Sequence, residues 1–523
     1  MTRLYTEEDV KRKLLRQVKE RNNGCVPKEY QALLEKMFML AETNNPAETA
    51  RVLLEFSKAK KTEKLVRITS AEIPADIAVF GAPASIHNIK VNGYGPDDEI
   101  YSKNPDLRQK IPRGFAILET QDGALLDVVI YANKKFTGSA GDEDEDAHQP
   151  NKMESWKEYF ISDYDNATKV ISTEKINGEA AHFSARYIDG QFCIITGSKN
   201  VHLLMRKKED IELYEGDRFN IAKVIARVVW ETLEGLTPDN RNLVLSLLHH
   251  TRCTAVCEVL QPDHQHIVNL SHLNKPQIYV LSLTPAASSG DQDNSSSLLV
   301  LPPNHMLDLF TGLGFTCPTY KEVSIHKASE HKDSIRSELH TEGKVLYFVN
   351  KKGETIGLVK AKSGWYVLMR SLREKAVYSF TTAKKHKDWT IDHQIKSMSD
   401  RFDNIEEWLQ CSDTYITAWK ELGAGFLQWL EEELKEQSEA EKTIRPRYPL
   451  LWAKYLSDTN KLGGIGGLLT HWTQSVGHDC DVHTEDKVDT GNSKVRQWVV
   501  GSNYDEKGKH QKQSPVACES QQV

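Results

Sequence analysis

The chain has 523 residues, 39% hydrophobic and 27% charged, with 67 Lys and Arg against 74 Asp and Glu for a net charge of -7. At about 150 residues per domain this is length for roughly three to four folding units. The balance excludes wholesale disorder, a membrane-embedded chain and a histone-like basic coat, so any nucleic-acid surface has to be a local basic channel.

The N-terminus, MTRLYTEEDVKRK, has neither the basic flank and apolar core of a signal peptide nor the acid-poor character of a transit peptide. From Glu7 to about Ala59 apolar residues recur at helical spacing, first Val10, Leu14, Leu15 and Val18, then Tyr30, Leu33, Leu34, Met37 and Leu40. That spacing predicts a helical region over 1–64. From Leu65 short β-type runs take over at 116–118, 127–131 and 192–195, broken by Asp-Gly turns at Asp122-Gly123 and Asp189-Gly190. Helical pieces at 217–233 and 241–249 separate these from a second β-rich stretch at 253–259, 278–283 and 345–369. The expectation is an α+β domain over 65–375.

Polar runs at 142–146 and 286–297 read as solvated loops. Beyond Trp389 the residues Phe402, Ile405, Trp408, Leu409, Tyr415, Trp419, Leu422, Phe426, Leu427, Trp429 and Leu430 crowd one span. They predict the packing core of a helical C-terminal domain over 376–500, and the tail over 501–523, poor in apolar groups, is expected to be disordered. Nowhere do about 18 apolar residues run together, so no transmembrane helix is expected. Eight scattered cysteines fit reduced thiols in cytosol or nucleus.

Chemistry concentrates around Lys175-Ile176-Asn177-Gly178, preceded by Glu174 and followed by an alternating strand over 180–187. A lysine in a loop between strands can offer its amine to a bound nucleotide, and glycine three residues on lets backbone approach closely. Alone, the tetrad reads more readily as an exposed turn lysine. Downstream stand Lys199 after the next strand, and Glu258 inside an apolar strand, where a carboxylate needs a hydroxyl or cation as partner. Tyr279 offers an aromatic face for base stacking. Glu342-Gly343 then opens a hairpin that turns near Lys351-Lys352-Gly353. On its return strand Lys360 and Lys362 alternate, so both point to one face and can neutralise phosphate. Cys253 and Cys257 with His249 and His250 lack any standard zinc spacing. The basic stretch Lys384-Lys385-His386-Lys387 beside Trp389 reads more readily as a solvated turn than as an RNA contact.

In this order the motifs resemble the covalent nucleotidyltransferase superfamily, which includes polynucleotide ligases and mRNA-capping enzymes, over 113–366, about half the chain. Asn177 in the lysine motif, and the segment 258–268 closing on His266-Ile267-Val268, look like the ligase domain of fungal tRNA ligases. Arg113-Gly114 and Lys135-Phe136 are similar to elements that phage and fungal RNA ligases place before the nucleophile, and Tyr366 suits the phage pattern. The resemblance implies an α+β fold: a nucleotidyltransferase (adenylyltransferase) domain of antiparallel sheets with flanking helices, plus helical N- and C-terminal regions. It also implies an ATP-dependent RNA ligase with Lys175 as nucleophile and Glu342 on a metal. Arg113, Lys135, Glu174, Gly178, Lys199, Glu258, Tyr279, Lys360, Lys362 and Tyr366 would surround the nucleotide. The cofactors would be ATP with Mg²⁺ or Mn²⁺, and the partner RNA with 5′-phosphate and 3′-hydroxyl ends, with no membrane. A helical pattern after the Lys-x-Lys strand, where an OB barrel would stand, sets the chain apart from DNA ligases and capping enzymes. No G-x-x-x-x-G-K-[ST] loop occurs, 463–467 lacking the lysine, so end healing would fall to separate enzymes. Two other readings stay open at this point: an inactive nucleotide- or RNA-binding scaffold, and nucleotidyl transfer to a protein.

Overall fold

Three helices open the chain in the computed structural model, which describes residues 3–42, 45–77, 81–92, 97–139, 142, 154–285, 300–385, 388–435 and 443–461. α1 (Glu7–Arg21) begins where the Thr6 hydroxyl accepts from the Asp9 N–H at 3.2 Å, and acidic residues in its first turn suit the positive end of the helix dipole. α2 (Lys28–Glu42) and α3 (Pro46–Thr62) follow. The apolar spacing becomes a buried face: Val10, Leu14, Val18, Tyr30, Leu33, Leu34 and Met37 share one core with the central strands, and Leu15 and Leu40 pack at its margin. α3 instead lays Ala50, Leu53 and Leu54 on the first sheet.

That sheet holds β1 (Val66–Glu72), β2 (Ala84–Val91), β3 (Phe115–Thr120) and β4 (Leu126–Tyr131) in sequence order, with α4 (Asp97–Lys103) and α5 (Pro105–Lys110) between β2 and β3. β5 (Thr137–Gly138) and β6 (Ala167–Glu174) come next, and then β7 (Glu179–Ile188), β8 (Gln191–Ser198) and β9 (His202–Met205). α6 (Asn220–Gly235) and α7 (Pro238–Thr251) pack under them, α7 capped by the Thr237 hydroxyl, which accepts from the Asn240 N–H. β10 (Thr254–Leu260), β11 (Gln277–Thr284), α8 (Pro303–Leu313), β12 (Tyr320–Ser324), α9 (Ala328–Arg336), β13 (Gly343–Asn350) and β14 (Thr355–Lys362) complete the strands. The second sheet runs β11-β10-β7-β8-β9 and the third β12-β6-β13-β14-β5. All pairs are antiparallel except β14 with β5, so the expected α+β architecture of antiparallel sheets and flanking helices holds, with one parallel edge.

Two local expectations need correction. The stretch 345–369 is not β throughout: β14 ends at Lys362, where the Ser363 hydroxyl accepts from the Tyr366 N–H at 3.0 Å and caps α10 (Gly364–Val377). A serine cap decided that boundary against the apolar run. α10 crosses residue 375, where the sequence reading ends the α+β domain. Asp142, read as part of a solvated acidic run, is fully buried and accepts from the Lys362 N–H at 2.7 Å and the Arg336 guanidinium at 2.6 Å. Residues 143–146, 286–297, 463–467 and 501–523 lie outside the described residues.

α10 joins α11 (Ile391–Leu409), α12 (Asp413–Glu433) and α13 (Ile444–Asp458) around a separate core. Of the residues expected there, Phe402, Ile405, Leu409, Tyr415, Trp419, Phe426, Leu427 and Leu430 are buried, whereas Trp408, Leu422 and Trp429 sit at its edge. Ile267, from the loop after β10, belongs to the same core, and its N–H donates to Asn177, which ties the helices to the chain that joins the second and third sheets. Among the described residues no helix is long and apolar enough to cross a membrane.

Candidate active site

The chain leaves the third sheet at Glu174 and enters the second at Glu179, so Lys175 to Gly178 span the junction of two sheets. The Lys175 N–H donates to the Gly343 carbonyl at 2.9 Å, which fixes the backbone beneath the amine. Gly343 sits at φ +123°, and a Cβ there would meet the Ala361 carbonyl at 2.1 Å, so only glycine allows this approach. Gly178 is constrained from the other side: a Cβ would lie 2.4 Å from the Val259 carbonyl. The lysine loop is thus clamped between β13 and β10.

Side chains complete the clamp. Lys175 Nζ stands 2.7 Å from Glu342 Oε1, and Asn177 Nδ2 donates to Glu342 Oε2, also at 2.7 Å. Asn177 further donates to Tyr366 Oη at 3.3 Å, while its oxygen accepts from the Ile267 and Val268 N–H groups at 3.0 and 3.1 Å. One amide therefore joins the lysine loop, the carboxylate, α10 and the 261–268 loop, using both its donor and its acceptor capacity. The Gly178 N–H donates to Glu258 Oε1 at 3.0 Å, and Tyr279 lies directly across from Glu258 on β11, so their side chains share a face. His266 and His264 approach Glu179 Oε1 at 3.0 and 3.3 Å and hold the same loop against the start of β7.

Electrostatics couples these groups. Burial pushes the Glu342 carboxyl upward, but Lys175 and Lys362 overcome it and hold the group below the usual carboxylate range. Glu258 goes the other way: burial, with Glu342 adding repulsion, lifts it to about 7 against the pull of Lys175. Burial and the nearby Glu174 charge raise the Tyr279 phenol. Lys360 and Lys362 are both buried on β14, as their alternation implied, yet they meet different rings: Lys360 Nζ lies 5.7 Å from the Phe136 ring centre and Lys362 Nζ 5.6 Å from that of Tyr366.

Arg113, Lys135 and Lys199 form a second group. Arg113 Nε and Lys199 Nζ share Asp97 Oδ2 at 3.2 and 2.7 Å, and Lys135 pairs with Asp98. Burial would raise the Asp97 carboxyl, but Arg113, Lys199 and Lys135 together hold it far below the ordinary value. Nothing in the sequence marked Asp97 and Asp98 as partners, because the pairing joins the start of α4 to residues just before β3, after β4 and after β8. The bridging role of Asn177 was equally hidden, since its partners lie 90 to 189 residues away. Of the basic stretch after α10, Lys385 is exposed, and the Lys384, His386 and Lys387 side chains lie outside the described set.

A pH test follows from Glu258. Its folded value of about 7 lies above its ordinary 4.5, so its contribution to stability is fully present below 4.5 and is lost as pH rises through about 7. Glu258→Gln stays neutral and should gain stability relative to wild type between pH 4.5 and 7, with a plateau above. Urea unfolding of both proteins across this range checks it. A difference that does not change with pH would mean that Glu258 titrates alike in the folded and unfolded protein.

Over 146–373 the chain matches a domain of unknown function, DUF7920. No curated protein matches the chain. Among solved structures it is similar to an archaeal ATP-dependent RNA ligase at 13% identity, with a TM-score of 0.39, covering 75% of this chain and 84% of that one. It is similar also to a Naegleria gruberi RNA ligase mutant with ATP and Mn, at 12% identity and a TM-score of 0.26, covering 58% of this chain and 97% of that one.

Proposed function

We propose that the protein is an ATP-dependent RNA ligase that joins 5′-phosphate and 3′-hydroxyl ends through a lysyl-AMP intermediate on Lys175. The observation that carries this reading is the Lys175 amine held against buried Glu342, with Asn177 and Gly178 locking its loop to the Glu258 strand. The ordered motif resemblance over 113–366 supports it independently. In the first step the deprotonated amine forms a P–N bond to the α-phosphorus of ATP as the bond to pyrophosphate breaks. The AMP then passes to the RNA 5′-phosphate, and finally the 3′-hydroxyl attacks that phosphorus and AMP departs. A lysine normally titrates near 10.4, so the amine has to lose its proton before it can attack.

Each neighbour has a role in this scheme. Glu258, with Tyr279 opposite, would hold the ribose and stack the base, and Lys362 and Lys360 would offset charge building on phosphate. Gly178 lets the lysine loop pack on β10 beside the nucleotide, Glu174 and Tyr366 would shape the walls, and Arg113, Lys135 and Lys199 would receive the polyphosphate once it competes with Asp97 and Asp98. Glu342, a hard carboxylate beside Lys175, fits Mg²⁺ or Mn²⁺ and would hold the ion. Such an ion supplies Lewis-acid stabilisation of phosphate charge. The described cysteines are all free, which suits cytosol or nucleus and work in RNA repair or processing.

The decisive experiment offers the protein a nicked RNA with a 5′-phosphate and a 3′-hydroxyl, with ATP and Mg²⁺ or Mn²⁺. The expected result is a sealed strand and released AMP. Label passing from ATP to a protein and not to RNA would replace this reading with nucleotidyl transfer to protein, and nucleotide binding without any adduct would replace it with a scaffold.

A further inference from the structure

A cavity of about 360 Å³ lies beside Arg113 and Lys199 and is lined by four cations, Arg67, Lys90, Arg113 and Lys199, against one carboxylate, Asp97. Asp97 is shared between Arg113 and Lys199. Arg67 and Lys90 stand directly opposite each other on β1 and β2, and among the described residues neither side chain makes an ion pair or hydrogen bond. Like charges facing each other across an antiparallel pair are destabilising, so this arrangement favours an anion between them. The crowding reaches the far wall: burial, Arg113 and Lys90 all push the Lys199 ammonium downward.

We propose that this cavity holds backbone phosphate of the RNA to be joined, with Arg67 and Lys90 as the contacts contributed by the first sheet. The inference rests on the RNA-ligase reading and extends it beyond the nucleotide. Its chemistry is that of a phosphodiester or phosphate monoester, matched by a guanidinium fork and an ammonium. The triphosphate of ATP has the same chemistry and its pyrophosphate end would meet Arg113 and Lys199 in the first step, but the lining adds Arg67 and Lys90 and includes neither Lys175, Glu258 nor Glu342, the groups that surround the reacting phosphorus in the proposed scheme. Strands β1 and β2 also belong to neither of the two sheets that meet at Lys175. A strand of RNA carries a phosphate at every nucleotide, and because pyrophosphate leaves in the first step, before the RNA 5′-phosphate reacts, Arg113 and Lys199 can then meet an RNA phosphate together with Arg67 and Lys90.

The test measures binding of a short 5′-phosphorylated single-stranded RNA over a salt series, with wild type and Arg67→Gln/Lys90→Gln. Loss of two phosphate contacts should weaken binding about tenfold or more at low salt and lower the slope of log affinity against log salt by about 1.4. The charge-keeping pair Arg67→Lys/Lys90→Arg should retain the wild-type slope, which separates lost charge from lost packing. RNA affinity and slope equal to wild type in the glutamine variant would overturn the proposal. So would a raised KM for ATP in self-adenylylation with RNA binding intact, since that result assigns the cavity to the triphosphate. The ligase reading fails separately: wild type that forms no lysyl-AMP, yet binds RNA with the dependence described, would remove the chemistry and leave the subsite.

Discussion

Lys175→Ala is expected to form no covalent adduct when incubated with α-labelled ATP and Mg²⁺ or Mn²⁺, whereas wild type retains label through a denaturing gel and loses it to hydroxylamine, as a phosphoramidate does. The loss should exceed about 10⁴-fold, because the variant removes the atom that makes the bond and not a contributor to its environment. Folding is not at stake to the same degree. The Lys175 side chain keeps 21% of its surface exposed, and its backbone bond to the Gly343 carbonyl survives substitution. Truncation does leave Glu342 without its ammonium, so the variant should also be somewhat less stable, and circular dichroism checks that it is folded. Label on Lys175→Ala equal to wild type would remove Lys175 from the chemistry and with it the proposed first step.

Glu342→Gln should be the second most damaging change. Its carboxylate is 5% exposed and serves two donors at once, Lys175 on Oε1 and Asn177 on Oε2. Glutamine presents one acceptor and one donor in that space, so either the lysine or the asparagine would face an N–H. The change also removes the negative charge that compensates Lys175 and Lys362. Breaking a buried, hydrogen-bonded charge pair costs about 3–5 kcal/mol. Felt wholly in the transition state, that is a few hundred- to a few thousandfold in the rate of adduct formation. Glu342→Asp keeps the charge and should recover part of the rate, with a higher requirement for metal if the carboxylate also ligates the ion. A merely structural role would instead lower thermal stability in both variants and leave the rate of the folded fraction and its metal dependence as in wild type.

The two predictions probe different kinds of information. Lys175, Glu258, Tyr279, Glu342, Lys360 and Lys362 could be singled out from sequence because each sits in a short pattern whose local chemistry is visible: a lysine before Asn-Gly, a carboxylate or ring inside an apolar strand, alternating lysines. The helices α1, α2 and α12 were legible for a related reason, since a 3.6-residue spacing of apolar side chains is a local property. Where local signals competed, reading failed: at Ser363 a cap outweighed the apolar run after it, and at Asp142 one carboxylate of an acidic series turned inward to bind Arg336 and the end of β14.

The sequence by itself determined the alternation of helix, strand and helix and the order in which reactive residue types arrive along the chain. Which of them meet was decided by tertiary structure alone. Asn177 becomes a bridge, Asp97 and Asp98 become the partners of three cations, and Arg67 comes to face Lys90 only once strands far apart in sequence are paired in register. The reason is physical: hydrogen bonds and charge pairing act over a few ångströms in space, and burial sets their strength, whereas a linear pattern records only neighbours along the chain.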